Sequence, residues 1–155
     1  MINNISDEIS NISKPQKIIV VGCGKFSTII INNLSKDGHV IKVIDKSLDL
    51  FKQIPKDKID SNSISTVQGD YTDRHFWDQM NFNDMDIFIA STEIDSCNLF
   101  VAQIATQILR IPKVFVILKN DKLSSIYKSS DLKIIDISGL VIDSINTFIN
   151  NDEEI

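Results

Sequence analysis

At residues 17–27 the chain reads KIIVVGCGKFS, a short apolar run that stops at two glycines with one residue between them. A run rich in β-branched residues and bounded by glycine is typical of a strand buried on both faces of a parallel sheet. Residues 25–36 follow, and they place Phe26, Ile30 and Leu34 on one face at helical spacing. The stretch therefore predicts a strand, a tight glycine turn and a helix, which is the first half of a βαβ unit.

The same alternation continues to residue 150. The predicted strands are 17–21, 40–44, 63–68, 86–90, 113–118 and 132–137. The predicted helices are 25–36, a short helix capped by Ser47, a short helix capped by Thr72, 95–109, 121–128 and 138–150. A polar loop is expected at 56–62. Strands that alternate with helices predict the α/β class, with a Rossmann-like, doubly wound parallel sheet of six strands in a single domain.

Length and composition set further limits. The 155 residues fit one domain, here 16–150, between a flexible leader at 1–15 and an acidic tail at 151–155. A net charge of −5 argues against a nucleic-acid-binding protein, and no apolar run approaches the ~20 residues of a membrane span. Cys23 and Cys97 are the two cysteines, too few for a disulfide framework or a zinc site. We therefore expect a cytoplasmic, reduced protein without a metal site.

The glycine turn carries the first indication of a ligand. Residues 22–27 have the spacing G-x-G-x-x-S, whereas the dinucleotide-binding fingerprint ends on Gly or Ala. Gly22 would allow the tight turn, and Gly24 would let a pyrophosphate approach the backbone at the helix N-terminus. The last position needs a small residue for close packing of helix and strand, and Ser27 is nearly small enough. A GxG turn alone is a weak signal that also occurs as a plain structural turn.

An acidic residue stands where the ribose of a dinucleotide would lie. Asp45 ends the second predicted strand 21 residues after Gly24 (45 − 24), close to the roughly 20-residue spacing of the acid that accepts the ribose hydroxyls. A carboxylate here also repels a 2′-phosphate, so NAD(H) or ATP fits better than NADP(H). Lys46 follows directly and weakens that discrimination. The structural alternative is a surface aspartate that caps a helix.

Two further pairs of polar residues end predicted strands. Gly69-Asp70 follows the third strand, where a side chain could reach an adenine edge, and Ser91-Thr92 follows the fourth. The carboxyl ends of strands one and four flank the crevice in which open α/β sheets bind ligands. Each pair alone could be a turn or a cap, but with the glycine turn and Asp45 they converge on one edge of the sheet.

The sequence offers little for catalysis. It has no nucleophile elbow, and no His–Asp or Cys–His pair stands at the strand ends. His39 and His75 are expected to be structural or solvated, and Cys23 to be a small buried side chain. Glu93 and Asp95 are the remaining candidates for a general acid or base. We therefore expect no enzymatic activity.

Five segments in a fixed order resemble a known family. They are Val21-Gly22-Cys23-Gly24-Lys25-Phe26, Gly38-His39, Val43-Ile44-Asp45-Lys46, Gly69-Asp70-Tyr71-Thr72-Asp73 and 95–98. In their order and spacing the chain is similar, over residues 17–150, to the N-terminal nucleotide-binding domain of Trk/Ktr-type potassium-uptake regulators, also called the RCK or TrkA-N domain. The G-D-x-T element makes the set fairly specific, because generic dehydrogenases lack it.

The resemblance implies a site and a function. Such domains dimerise, assemble beneath a membrane potassium channel or transporter, and change shape on binding NAD(H) or ATP/ADP. By this pattern the glycine turn would hold the phosphates, Asp45 the ribose, Asp70 the adenine and Thr92 the far side of the cofactor, with Asn98 near the same crevice. The predicted cofactor-binding set is Gly22, Cys23, Gly24, Lys25, Phe26, Ser27, Asp45, Lys46, Gly69, Asp70, Ser91, Thr92 and Asn98.

The chain departs from the family pattern in three ways. Ser27 replaces the third glycine, and Ile117 stands in strand five where the family often has an arginine. The C-terminal regulatory domain that normally follows is missing, so we expect a stand-alone N-domain or one that works with a separate subunit. The final helix, 138–150, could form a dimer contact or pack against the sheet.

The leading hypothesis is a cytoplasmic regulatory subunit, held at the inner face of the plasma membrane by a potassium channel or transporter. It would bind NAD(H), with ATP/ADP as the second choice, and act as a homodimer or higher oligomer. One alternative is a small NAD-dependent oxidoreductase. The other is an oligomeric interaction module that binds no nucleotide.

Overall fold

The computed structural model describes residues 14–151, so most of the predicted leader and acidic tail lie outside the described residues. The strands are β1 Lys17–Val21, β2 Val40–Asp45, β3 Ile64–Gln68, β4 Ile87–Ala90, β5 Lys113–Leu118 and β6 Lys133–Asp136. The helices are α1 Lys25–Lys36, α2 Lys56–Asp60, α3 Arg74–Gln79, α4 Asp95–Gln103, α5 Asp121–Tyr127 and α6 Ile137–Asn151. A 3₁₀ turn, Leu48–Gln53, precedes α2, and a π-helical turn, Ile104–Ile108, extends α4.

All six strands run parallel in the order β3-β2-β1-β4-β5-β6. This confirms the predicted Rossmann-like, doubly wound sheet. Val21 pairs with Ile44 on one side and Ala90 on the other, so β1, β2 and β4 end side by side. The strand order reverses between β1 and β4, which opens a crevice at their carboxyl ends.

Alternate residues of β1 enter the two halves of the core. Ile19 and Val21 pack on the face that holds Trp77, whereas Ile18 and Val20 pack with Ile31 of α1 on the other face. All four β1 residues are at most 1% exposed, as expected for a strand covered on both faces. The helices on both sides therefore fix the position of β1 and of the glycine turn that follows it.

Three local predictions were wrong. Residues 56–62 were expected to be a loop, but α2 starts directly after Pro55, whose fixed φ suits a helix start. Asp73, not Thr72, caps α3, because the Asp73 carboxylate accepts the backbone N–H of His75. Ser47 makes no side-chain cap.

The helix predicted over 95–109 is regular only as far as Gln103. The Thr106 hydroxyl donates to the carbonyl oxygens of Ala102 and Gln103, and the N–H of Leu109 reaches back five residues to Ile104. A hydroxyl that competes for backbone acceptors explains why the last turn widens into a π-helix.

The final helix does not pack against the sheet along its length. Ile137 at its start contacts the core, but every residue from Leu140 to Asn150 is exposed. The exposed side chains include six large apolar ones, among them Phe148 at 73% exposure. One of the two predictions for this helix, flat packing on the sheet, is therefore wrong.

Asn98, near the start of α4, ties together the ends of β4 and β5. Its side-chain oxygen accepts both the N–H and the hydroxyl of Thr92, each at 2.7 Å. Its amide nitrogen donates to the carbonyl oxygens of Thr92 at 3.0 Å and Ile117 at 2.9 Å. The side chain is 1% exposed, so these bonds replace water for every polar atom it carries.

Gly22 brings the backbones of β1 and β4 together. Its φ is +108°, and a Cβ at this position would collide with the carbonyl group of Ser91. Its N–H donates to Ile44 at 2.8 Å. The site therefore requires glycine both for its conformation and for its lack of a side chain.

Gly22→Ala should lower the free energy of unfolding by at least about 3 kcal/mol, because backbone atoms must move to admit the new methyl group. Gly38→Ala is the matched control, since Gly38 has a φ of +84° with no atom near the Cβ position. It should cost only the left-handed strain of about 1–2 kcal/mol. Urea denaturation of both variants measures the difference, and equal losses would contradict the proposed collision.

Asn98→Ala should destabilise the protein by about 3 kcal/mol, because the Thr92 N–H and the Ile117 carbonyl would be left buried without partners. Asn33→Ala serves as the control: Asn33 lies exposed on α1 and donates one bond, to Ile29. We expect it to change stability by less than about 0.5 kcal/mol. The bonding scheme would be wrong if thermal unfolding showed the same small effect for both.

Candidate nucleotide-binding site

The predicted site residues gather at the carboxyl edge of the sheet. The glycine turn follows β1, Asp45 ends β2 and Ser91-Thr92 follows β4. Gly69-Asp70 follows β3 beside them, and the Gly69 N–H donates to the carbonyl oxygen of Asp45 at 3.0 Å. The crevice between β1 and β4 is thus lined by segments far apart in the chain.

The N-terminus of α1 points its free N–H groups into this crevice. Gly24 is the N-cap residue, with φ −71° and ψ −179°, and it offers no side chain as a cap. The first intrahelical bond joins the N–H of Thr28 to the carbonyl of Gly24, so the N–H groups before Thr28 have no acceptor within the helix. The first turn holds no acidic residue, and Lys25 is exposed there. This end of α1 can accept an anion.

Asp45 connects the glycine turn to the end of β2. One carboxylate oxygen accepts the N–H of Cys23 at 2.8 Å, and the other accepts the N–H of Ser47 at 2.9 Å. The side chain is 7% exposed. Since each carboxylate oxygen can accept a second bond, Asp45 can hold the turn in place and still accept ligand hydroxyls.

Lys46 is held away from Asp45 by a neighbouring cluster. Its ammonium lies 2.9 Å from Asp70 Oδ1 and 3.2 Å from the Thr72 hydroxyl, over the ring of Tyr71. The hydrogen bond from the Thr72 hydroxyl, and next that from Lys46, lower the pKa of Asp70 to about 2. The bond to Asp70 raises the pKa of Lys46. At neutral pH both groups are charged and paired.

Several residues of the predicted binding set hold the site together. Ser27 is fully buried, and its hydroxyl bonds to the carbonyl and the hydroxyl of Ser91, so serine at this position joins α1 to β4. The ring of Phe76 lies against Gly69, where it leaves no room for a Cβ. Asn98 has its amide fully bonded inside the protein and positions Thr92.

Two side chains in the turn are turned away from the crevice. Cys23 is fully buried, and burial raises the pKa of its thiol to about 11, so it stays protonated and is a poor nucleophile. Phe26 is 40% exposed and lines an apolar groove with Val141, Ile145 and other residues of α6. From these two residues a ligand could contact only the backbone.

Sequence reasoning did not identify Lys119 as part of the site. Lys119 follows β5 at the same carboxyl edge, and its ammonium lies 2.5 Å from Glu93 Oε2. Asp95 accepts the backbone N–H groups of Lys119 and Asn120 at 3.0 and 2.8 Å. The search for polar residues at the ends of strands, which identified Asp70 and Thr92, would also have identified Lys119 directly after β5.

The described residues show no arrangement suited to catalysis by the two histidines. His39 precedes β2 at the opposite edge of the sheet, where its Nδ1 accepts the N–H of Gln16. His75 is exposed in α3. Residues 14–151 hold no group of three metal-ligating side chains. No helix among them is long and apolar enough to cross a membrane.

Sequence comparison identifies relatives of this chain. The profile of the TrkA-N domain matches residues 18–137. A Trk system potassium uptake protein TrkA homolog from Pyrococcus abyssi is 27% identical over 104 residues, which are 66% of this chain and 42% of that protein. A second homolog, from Pyrococcus horikoshii, is 25% identical over 104 residues, again 66% of this chain and 42% of that protein. The chain therefore spans less than half the length of the curated relatives it matches.

Solved structures share the fold. The NAD(P)-binding domain of an exopolyphosphatase-related protein from Archaeoglobus fulgidus superimposes with a TM-score of 0.68 at 15% identity, covering 88% of this chain and 98% of that one. The GsuK channel bound to NAD has a TM-score of 0.61 at 14% identity, and the match covers 79% of this chain and 22% of the channel chain. The Kef C-terminal domain of Shewanella denitrificans in an AMP-bound form has a TM-score of 0.63 at 15% identity, and the match covers 86% of this chain and 80% of that one.

The profile match extends from β1 to the start of α6 and includes the glycine turn, Asp45 and Asp70. The sheet is the doubly wound parallel sheet of six strands that the sequence pattern predicted. On this evidence the chain belongs to the TrkA-N domain family.

Proposed function

We propose that the chain is a cytoplasmic regulatory subunit that binds an adenine nucleotide, with NAD(H) as the first candidate. The observation that carries this proposal is the bond from the Cys23 N–H to the Asp45 carboxylate. This bond holds a carboxylate beside an uncapped helix N-terminus, and such a pair suits the ribose and the diphosphate of a nucleotide.

The charges around Asp45 favour a ribose without a 2′-phosphate. Asp45 would repel such a phosphate, and the one lysine next to it in sequence is bound to Asp70 and Thr72. NADP(H) is therefore the disfavoured ligand. The GsuK channel has been solved with NAD and with ADP, and a Kef domain with AMP, which supports an adenine nucleotide and leaves ADP or ATP as the second candidate.

The proposed partner is a membrane potassium channel or transporter. The support is that both curated relatives are Trk potassium uptake proteins and that one solved structure of the same fold is a channel. Regulation would follow if the nucleotide binds two conformations with different affinity and so shifts their populations. We propose that the chain acts as a regulator and has no enzymatic activity of its own.

A second copy of this chain is the proposed occupant of the exposed face of α6. Val141, Ile145 and Phe148 form an apolar stripe beside Phe26, and the groove between them measures about 360 Å³. The stripe carries no charge, and the described part of the chain does not cover it. Two such helices that pack against each other would bury both stripes, as a two-fold symmetric interface requires.

Calorimetric titration with NAD⁺, NADH, ADP, ATP and NADP⁺ tests the ligand. We expect micromolar binding of NAD(H) or of ADP/ATP, and a loss of at least about tenfold in Asp45→Asn, because a charged acceptor of the ribose hydroxyls is removed. The preference for NAD⁺ over NADP⁺ should also shrink, which a folding defect alone would not cause.

Asp49→Asn is the matched control for that titration. Asp49 is an exposed acid paired with Lys52, so the variant removes the same charge without touching the crevice and should bind as the wild type does. If the wild-type chain bound none of the five nucleotides, the glycine turn would be a scaffold and the interaction-module alternative would take its place.

Sedimentation velocity tests the dimer. Ile145→Asp should shift the chain to a monomer, because a charge in the apolar stripe must lose its water on association. Asn146→Asp adds the same charge to the next residue, on the polar side of α6, and should leave the oligomer intact. A wild-type monomer, or equal behaviour of the two variants, would count against this interface.

A further inference from the structure

Glu93 places a carboxylate directly against the glycine turn. Its Oε1 lies 2.8 Å from the point that a Cβ on Gly24 would occupy. The space left open by the missing side chain of Gly24 is therefore filled by the end of another side chain. Backbone atoms crowd Gly22, whereas the group that faces Gly24 is a side chain that is 64% exposed and free to swing away.

The other oxygen of Glu93 is paired with Lys119. The ammonium lies 2.5 Å from Oε2, and the pair is half-exposed. An exposed ion pair is worth little free energy and is easily exchanged for another partner. The backbone of Lys119 is fixed separately by Asp95, so the two side chains can separate while both loops keep their positions.

A phosphate that approaches Gly24 would meet this carboxylate. The N-terminus of α1 attracts either anion, and the two cannot share the same backbone positions. Like charges at contact distance repel, and the repulsion grows as water is excluded. Lys119, the cation paired with Glu93, would be released when Glu93 leaves.

We propose that Glu93 is an internal competitor for the phosphate subsite and that a nucleotide diphosphate displaces it and takes over Lys119. Glu93 then weakens nucleotide binding, and Lys119 strengthens it. This inference rests on the proposed nucleotide-binding function. Beyond that function, it identifies Glu93 and Lys119 as residues that set the affinity. Both act on the phosphate groups of the ligand rather than on its base or ribose.

The test is calorimetric titration of NAD⁺ and ADP into the full chain and its variants. Glu93→Gln keeps the size of the side chain and removes its charge, so it should raise the affinity for both ligands about three- to tenfold. Lys119→Met should lower the affinity for both ligands by a similar factor. Its effect should be larger in the Glu93→Gln background, where no ion pair is broken first, and a double-mutant cycle measures that coupling.

Two controls separate this effect from general electrostatics. Asp49→Asn and Lys52→Met alter an exposed ion pair elsewhere in the chain, and should leave both affinities unchanged. Adenosine, which carries no phosphate, should bind the wild type and Glu93→Gln equally. Thermal unfolding of each variant should match the wild type, since both side chains are exposed.

The outcomes distinguish this inference from the function on which it rests. Binding by the wild type that Glu93→Gln leaves unchanged or weakens would overturn the competitor and leave nucleotide binding intact. If neither protein bound any nucleotide, both the proposed function and this inference would be overturned.

Discussion

The contact between Gly22 and the backbone of Ser91 sets the geometry on which the other features depend. Because Gly22 has no side chain, β1 and β4 end close together at the point where the strand order reverses. The chain can then turn sharply into α1, whose first N–H groups face the crevice. The contact also brings Ser27 within reach of Ser91, so a hydroxyl bond joins the helix to β4 at the position where the fingerprint has a third small residue.

The polar residues at this edge divide into those that build the crevice and those that remain available to a ligand. Asn98 and Ser27 have their side chains bonded inside the protein, and Gly69 provides a surface for the ring of Phe76. Asp45 does both, because its two oxygens each accept a backbone N–H and each keeps a lone pair. The groups that remain available to contact a ligand are therefore the backbone of the glycine turn, Asp45 and the side chains that surround them.

The sheet and the position of Asp45 were predictable because both follow from short-range rules. Strand alternation fixed the topology, and a residue directly after a parallel strand must lie at the carboxyl edge. The role of Asn98 was not predictable, since it depends on the carbonyl of Ile117, 19 residues away. The α2 helix and the cap by Asp73 were missed because short helices carry little periodicity and two adjacent polar residues compete for one cap position.

A phosphate bound at this edge of the sheet would meet several carboxylates, and each of them already has partners within the protein. Asp45 is bonded to backbone N–H groups, Asp95 to the backbone of Lys119, and Asp70 to Lys46 and Thr72. Asp45 and Asp95 thus hold backbone groups that a ligand does not need to move, and Asp70 has the Thr72 hydroxyl and backbone N–H besides the Lys46 side chain. Glu93 differs because its partner is a single exposed side chain and because it lies against Gly24 itself. Among these four carboxylates, Glu93 is therefore the one whose displacement leaves the surrounding backbone intact and exposes a cation to the incoming phosphate.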